Sequence, residues 1–137
     1  MSRCTPPPHP FNGTSAIECT FHDMMYKISG GNRVERALVD RCLEWCIVKF
    51  PLNGVHIDVR LVPITSAHGW VEHEDGVEFT ITISTKYPSL SLLTETILHE
   101  LVHVRQWCSG EWEGDGEEEA DRVAREISIM LWNANLI

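Results

Sequence analysis

The fold is decided by a stretch that reads SLLTETILHELVHVRQW over residues 91–107. Its apolar residues recur every three to four positions, as Leu93, Ile97, Leu101 and Val104. This is the period of an α-helix with one face against a core, so the pattern predicts a helix over residues 91–107. Two histidines lie on the side away from the apolar line, and Arg105 and Gln106 are expected to face solvent.

Residues 1–62 are predicted to contain an extended arm, a helix and a strand. Asn32 can cap a helix that runs to about Phe50. Residues 55–62 then alternate apolar and polar side chains, which is the period of a half-buried strand. The first thirteen residues contain four of the seven prolines, so we expect residues 1–13 to form an extended arm. Residues 14–137 are expected to form a single domain.

A hairpin and a final helix complete the predicted order. Segments 69–74 and 77–84 flank Asp75-Gly76, which indicates a two-residue turn because both turn positions need a positive φ. The last helix is predicted to start near Asp115 as its N-cap and to turn its apolar side chains inward. The order helix, strands, helix, helix, without an internal repeat, predicts an α+β fold.

Charge and composition exclude several classes of protein. The chain has 11 Lys+Arg against 20 Asp+Glu, a net charge of -9, which argues against a nucleic-acid surface. No apolar run approaches the ~20 residues that span a bilayer, and no apolar leader follows Met1. The five cysteines are odd in number and form no CxxC pair, which favours reduced thiols. We therefore expect a cytoplasmic protein, in the host cytoplasm if viral, with no nucleic-acid or membrane partner.

The stretch that carries chemistry is His99-Glu100-Leu101-Val102-His103. Four residues of an α-helix turn through about 400°, so the two histidines stack one turn apart and can present ring nitrogens to one Zn²⁺. Glu100 lies about 100° around the helix, from where its carboxylate can reach a metal-bound water without ligating the metal. The spacing predicts one zinc ion per chain, with Glu100 as the general base.

A third protein ligand is needed, because catalytic zinc usually takes three side chains and leaves one position for water. The next helix opens with Glu117, Glu118 and Glu119, starting fourteen residues after His103. A short connection makes this helix an antiparallel neighbour, so its first turn can lie beside the metal. Periodicity places Glu117 on the core-facing side and favours it, but Glu118, Glu119, Glu113 and a histidine stay open.

An HExxH helix followed by ExxxD in the next helix resembles the gluzincins, the zincin group that includes thermolysin. The resemblance implies that Glu117 is the third zinc ligand and that Asp121 hydrogen-bonds the far nitrogen of His99. It covers about residues 92–126, which are also similar to small bacteriophage and repressor-cleaving metallopeptidases. The implied fold is zincin-like, with a small antiparallel or mixed sheet and its hairpin packed against the HExxH helix and a C-terminal helix. The short gap to the third ligand and the lack of thermolysin's large substrate-binding domain are departures.

The activity that the resemblance implies is zinc-dependent hydrolysis of peptide bonds by an endopeptidase acting on a peptide or protein. Glu100 would take a proton from the attacking water and pass it to the leaving amine. The candidates for a second donor to the oxyanion are Tyr26, His68, His73 and Tyr87. In zincins the extended substrate commonly lies along an exposed strand edge, which suggests one arm of the 69–84 hairpin.

Two other classes of function compete with the peptidase. A non-catalytic zinc-binding adaptor or regulator on the same scaffold would need the ligands but not Glu100. An acidic, DNA-mimic-type inhibitor would also be small and negative, and residues 111–121 hold seven of the twenty carboxylates. A mimic spreads its charge over a surface, whereas this charge is concentrated where the metal site is expected to be completed.

Overall fold

The computed structural model describes residues 25–137 except 51, 53 and 74–76. The described elements are β1 (Met25–Gly30), α1 (Arg33–Lys49), β2 (His56–Val62), β3 (Gly69–His73), β4 (Glu78–Ser84), α2 (Leu90–Ser109) and α3 (Glu117–Asn133). They give an α+β fold, as predicted. The arm predicted over 1–13 lies outside the described residues. No helix within the described residues is both long and apolar enough to cross a membrane.

The four described strands form one mixed sheet in the order β1-β2-β4-β3. β1 pairs in parallel with β2, and β2 pairs in parallel with β4. Parallel neighbours need a crossover connection, and α1 supplies it between β1 and β2. β3 pairs antiparallel with β4 and occupies the edge of the sheet, so its outer side has no strand partner in the described part of the chain.

The helix predicted after Asn32 is confirmed as α1, and the strand predicted over residues 55–62 is confirmed as β2. Asn32 is the N-cap of α1: its side chain accepts from the Glu35 N–H, while its own N–H donates to the Glu35 carboxylate, each at 2.8 Å. This reciprocal pair satisfies two amide groups that the helix itself leaves unpaired. β1 has no counterpart among the predicted elements, because only Tyr26 and Ile28 turn inward and its alternation is short.

The hairpin is confirmed, but its register differs from the predicted one. A two-residue turn at Asp75-Gly76, which lie outside the described residues, would place His73 opposite Glu78. His73 instead lies opposite Phe79, one residue further along β4. This register also places Val71 opposite Ile81, and both are buried. A slip of one residue would turn one of them to the other face, so burial explains the register.

The helix predicted over residues 91–107 is α2, and it lies at the centre of the packing. It contacts α1, β3 and β4 on one side and α3 on the other. Its apolar line, Leu93, Ile97, Leu101 and Val104, is almost completely buried. Each such side chain contributes about 1.5–3 kcal/mol on burial. Because α3 covers the opposite side, part of the polar face of α2, including His103 and Gln106, is also buried.

The connection between α2 and α3 has a glycine at each end, where α2 ends and α3 begins. Gly110 is the C-cap of α2 with φ 72°, and Gly116 is the N-cap of α3 with φ 88°. This left-handed backbone favours a residue without a Cβ atom. The predicted N-cap at Asp115 is therefore wrong by one residue, although Asp115 Oδ1 still accepts the Glu117 N–H at 3.0 Å.

Candidate metal centre

His99 and His103 on α2 meet Glu117 on α3. Glu117 Oε1 lies 3.2 Å from His99 Nε2, and Glu117 Oε2 lies 3.2 Å from His103 Nε2. One ligand atom from each of the three residues lies within 4.8 Å of the others. The two rings are 4.8 Å apart at 83° to each other, so both can turn a nitrogen to one point. The group can hold a metal ion.

Glu117 is distinguished from its acidic neighbours by where the first turn of α3 places each carboxylate. Glu118 is exposed, whereas Glu119 accepts from the Gln106 side chain at 2.7 Å. Glu113, the other carboxylate left open by the sequence, pairs with Arg122 at 3.2 Å. Of these four carboxylates, Glu117 is the one that meets both histidines.

Asp121 lies one turn of α3 beyond Glu117, where it meets the far side of the His99 ring. Its Oδ1 lies 2.8 Å from His99 Nδ1. A carboxylate only accepts hydrogen bonds, so it holds the ring proton on Nδ1 and leaves Nε2 with a lone pair directed at Glu117. This is the contact that the family resemblance implies.

Gln106 holds the second histidine, and the expectation that it faces solvent is wrong. Its side chain is completely buried, with Oε1 2.8 Å from His103 Nδ1. Its Nε2 donates to the Gly116 carbonyl at 3.1 Å and to Glu119 at 2.7 Å. The signal that could have found it is spacing: positions 99, 103 and 106 share one helical face.

His103 is fully buried, because α3 covers this part of the polar face of α2. Its position away from the apolar line does not predict this burial. Within the described residues, His103 Nε2 makes no hydrogen bond, although it lies 3.2 Å from a Glu117 oxygen. A buried ring nitrogen without a partner is unfavourable. A cation between this nitrogen and the carboxylate supplies the missing partner, so the donor set fits a metal ion.

The electrostatics of His99 favour its neutral form. Burial lowers the pKa of its ring, and the neighbouring His103 lowers it further, while Asp121 and Glu117 act in the opposite direction. The neutral imidazole is the form that ligates metals. A lowered pKa therefore favours the form in which His99 can bind a metal ion.

A cleft of about 170 Å³ opens beside His99. Glu100, only 1 % exposed, lines it together with His99 and Asp121. The remaining lining residues are His68, Gly69, Leu92, Glu95 and Thr96. The predicted general base thus lies on the wall of a cleft that reaches His99, one of the three residues that can hold a metal ion.

The four candidates for the second donor separate clearly. His68 lines the cleft at the start of β3, where its carbonyl accepts the Ser84 N–H at 2.8 Å. Tyr87 donates to Glu35 at 2.6 Å, and Tyr26 donates to Asp40 at 2.5 Å. The His73 ring packs on Trp107 with centroids 3.9 Å apart. His68 is therefore the candidate that shares the cleft with Glu100.

Comparison of the chain with protein-family models, with curated proteins and with solved structures finds no match. The class that the fold and the site define is an α+β protein with a His99, His103 and Glu117 group that can hold a metal ion.

Proposed function

We propose that the protein is a small zinc-dependent endopeptidase with a zincin-like fold of the minimal gluzincin type. The observation that carries the proposal is the convergence of His99, His103 and Glu117 beside a cleft lined by Glu100. Two histidines and a glutamate are a usual ligand set of catalytic zinc, with the fourth position left to water or substrate.

The metal would be held by His99 Nε2, His103 Nε2 and the Glu117 carboxylate. When bound, zinc polarises a carbonyl and lowers the pKa of water to about 7. Asp121 and Gln106, each 2.8 Å from the Nδ1 atom of its histidine, keep the two rings oriented towards Glu117. The fit rests on the buried His103 Nε2, which lies 3.2 Å from a Glu117 oxygen and has no hydrogen-bond partner within the described residues.

Glu100 supplies the proton transfers of the proposed reaction. Its carboxylate takes a proton from the water that attacks the scissile carbonyl, and then gives that proton to the leaving amine. His68, which lines the same cleft, can donate a hydrogen bond to the carbonyl oxygen as negative charge develops there. The edge strand β3 begins beside the same cleft and can receive an extended peptide by strand addition.

The first test is the metal content of the protein purified without added zinc, measured by elemental analysis. We expect about one zinc ion per chain, lost or greatly weakened in Glu117→Ala and in His103→Ala. Glu118→Ala is the matched control, because it removes an exposed carboxylate from the adjacent position of α3. No metal in the wild-type protein, even after zinc is supplied, would overturn the proposal.

The second test separates a peptidase from a zinc-binding adaptor. The zinc-loaded protein is incubated with a mixture of synthetic peptides of varied sequence, and the products are identified by mass spectrometry. We expect cleavage by the wild-type protein and none by Glu100→Gln, which should keep its zinc and its fold. Zinc binding without any cleavage would favour the adaptor, and cleavage retained in Glu100→Gln would exclude Glu100 as the base.

A further inference from the structure

We propose that Gln106 is a positioning residue that holds the His103 ring in the tautomer that binds the metal. The inference rests on the proposed metal site and assigns a role to a residue outside the ligand set. Gln106 is completely buried and lies one turn beyond His103 on the same face of α2. Both ends of its amide group are engaged.

The partners of Gln106 determine which way its amide group points. The Gly116 carbonyl and the Glu119 carboxylate both lie on one side of it, at 3.1 and 2.7 Å, and both only accept hydrogen bonds. The NH₂ group must therefore occupy that side. The amide oxygen is left facing His103 Nδ1 at 2.8 Å.

An amide oxygen facing Nδ1 in turn decides where the His103 proton lies. The oxygen only accepts, so the short contact is a hydrogen bond when Nδ1 carries the proton. Nε2 then has a free lone pair, and it is this atom that lies 3.2 Å from Glu117. The opposite tautomer would leave two acceptors 2.8 Å apart in a site without water-exposed surface.

Gln106 also ties His103 to the helix that carries the third ligand. Through Gly116 and Glu119 it contacts the N-cap and the first turn of α3, on either side of Glu117. The two histidines are thus held by different means. Asp121 is charged and 64 % exposed in its side chain, whereas Gln106 is neutral and buried.

The test uses Gln106→Met, which has a similar length and no hydrogen-bonding amide. We expect its zinc affinity, measured by competition with a chromophoric chelator, to fall on the order of 10–100-fold. The control is Thr94→Val, which removes a buried hydroxyl that donates to the Leu90 carbonyl on the same helix. It should lose stability but keep the wild-type zinc affinity, and wild-type affinity in Gln106→Met would overturn the role.

A second measurement needs no variant and no metal. The ¹⁵N chemical shifts and long-range ¹H–¹⁵N couplings of the metal-free wild-type protein report the tautomer of His103. We expect the proton on Nδ1, and a proton on Nε2 would overturn the inference even if Gln106→Met fails to fold. A wild-type protein that binds no zinc would instead overturn the proposed function, and the tautomer would still be decided by this measurement.

Discussion

Two partly buried polar clusters of the described residues are built in opposite ways. In the first, which we call the Glu35 cluster, Asn32 and Tyr87 both contact the carboxylate of Glu35. The Glu35 residue is only 6 % exposed. One carboxylate oxygen accepts the Asn32 N–H at 2.8 Å, and the other accepts the Tyr87 hydroxyl at 2.6 Å. Each acceptor faces a donor of the same chain, so the cluster is complete as it stands.

The second cluster, formed by His99, His103 and Glu117, leaves the buried His103 Nε2 without a hydrogen-bond partner in the described residues. Asp121 and Gln106 occupy the Nδ1 sides of the two rings, so both Nε2 atoms face the Glu117 oxygens at 3.2 Å. No donor of the described chain lies between His103 Nε2 and the carboxylate. The two clusters therefore differ in kind: the Glu35 cluster alternates donors and acceptors, whereas the second, which we call the ligand cluster, leaves an acceptor that a cation can satisfy.

The largest difference between the clusters is expected in metal binding. Structural zinc sites bind with about 10–16 kcal/mol, so the loss of one ligand in His103→Ala should weaken zinc on the order of 100–1,000-fold. Tyr87→Phe, which removes a donor from the Glu35 cluster, should leave zinc affinity unchanged. Chelator competition measures both, and an equal loss in the two variants would remove the distinction between the clusters.

Asp121→Ala sharpens the comparison within the ligand cluster. Without the carboxylate at 2.8 Å from Nδ1, the His99 ring is free to turn and to change tautomer, so zinc affinity should fall on the order of 10–100-fold. The fold should be spared, because the Asp121 side chain is 64 % exposed. Glu118→Ala is the control for lost charge on α3, and unchanged affinity in Asp121→Ala would exclude its positioning role.

Substitutions of the central glutamates of the two clusters should change the free energy of unfolding of the metal-free protein in opposite directions. Glu35→Ala removes two hydrogen bonds to a buried carboxylate and should lower the free energy of unfolding by about 1–3 kcal/mol. Glu117→Gln gives His103 Nε2 an amide donor and should raise it by about 0.5–1.5 kcal/mol. Urea denaturation in excess chelator measures the free energy of unfolding of both variants. Destabilisation by Glu117→Gln as well as by Glu35→Ala would contradict the absence of a donor for His103 Nε2.

The smallest expected effect is on the titration of the Glu35 cluster. Burial, followed by the hydrogen bond to Glu35, raises the pKa of Tyr87 from 10.0 to about 12. The protonated Tyr87 hydroxyl therefore makes its full contribution to the free energy of unfolding below pH 10, and this contribution is lost as the pH rises through about 12. Tyrosinate absorbance should show the late titration, and Glu35→Ala should bring Tyr87 back towards its ordinary pKa. A Tyr87 that titrates near pH 10 in the wild-type protein would show that the cluster is open to solvent.

Local sequence patterns predict most of the helices and strands. The features that they do not predict depend on pairing between residues that are distant in the sequence. The 3.6-residue period and the Asn32 cap locate α1 and α2, and alternation locates β2 and the hairpin. The insertion of β4 between β2 and β3 depends on contacts that no local period contains. The same is true of the hairpin register, which the burial of Val71 and Ile81 decides.

The candidate site divides in the same way. The i, i+4 spacing brings His99 and His103 together. The ExxxD pattern selects Glu117, which meets both rings, and Asp121, whose Oδ1 lies 2.8 Å from His99 Nδ1. Gln106 escapes prediction because its polarity suggests solvent exposure, whereas α3 covers it. One of its partners is the Gly116 carbonyl, a backbone atom whose position a sequence does not reveal.

The α2–α3 connection has a consequence for the order of folding. Gly110 ends α2 and Gly116 begins α3, so the cluster of His99, His103 and Glu117 spans only residues 99–117. The parallel pairing of β1 with β2, in contrast, joins Met25 to His56 across a crossover. Contacts close in sequence form faster than distant ones. In pulse-labelling hydrogen exchange we therefore expect the helical pair to gain protection first, which brings His99, His103 and Glu117 together before the sheet is complete.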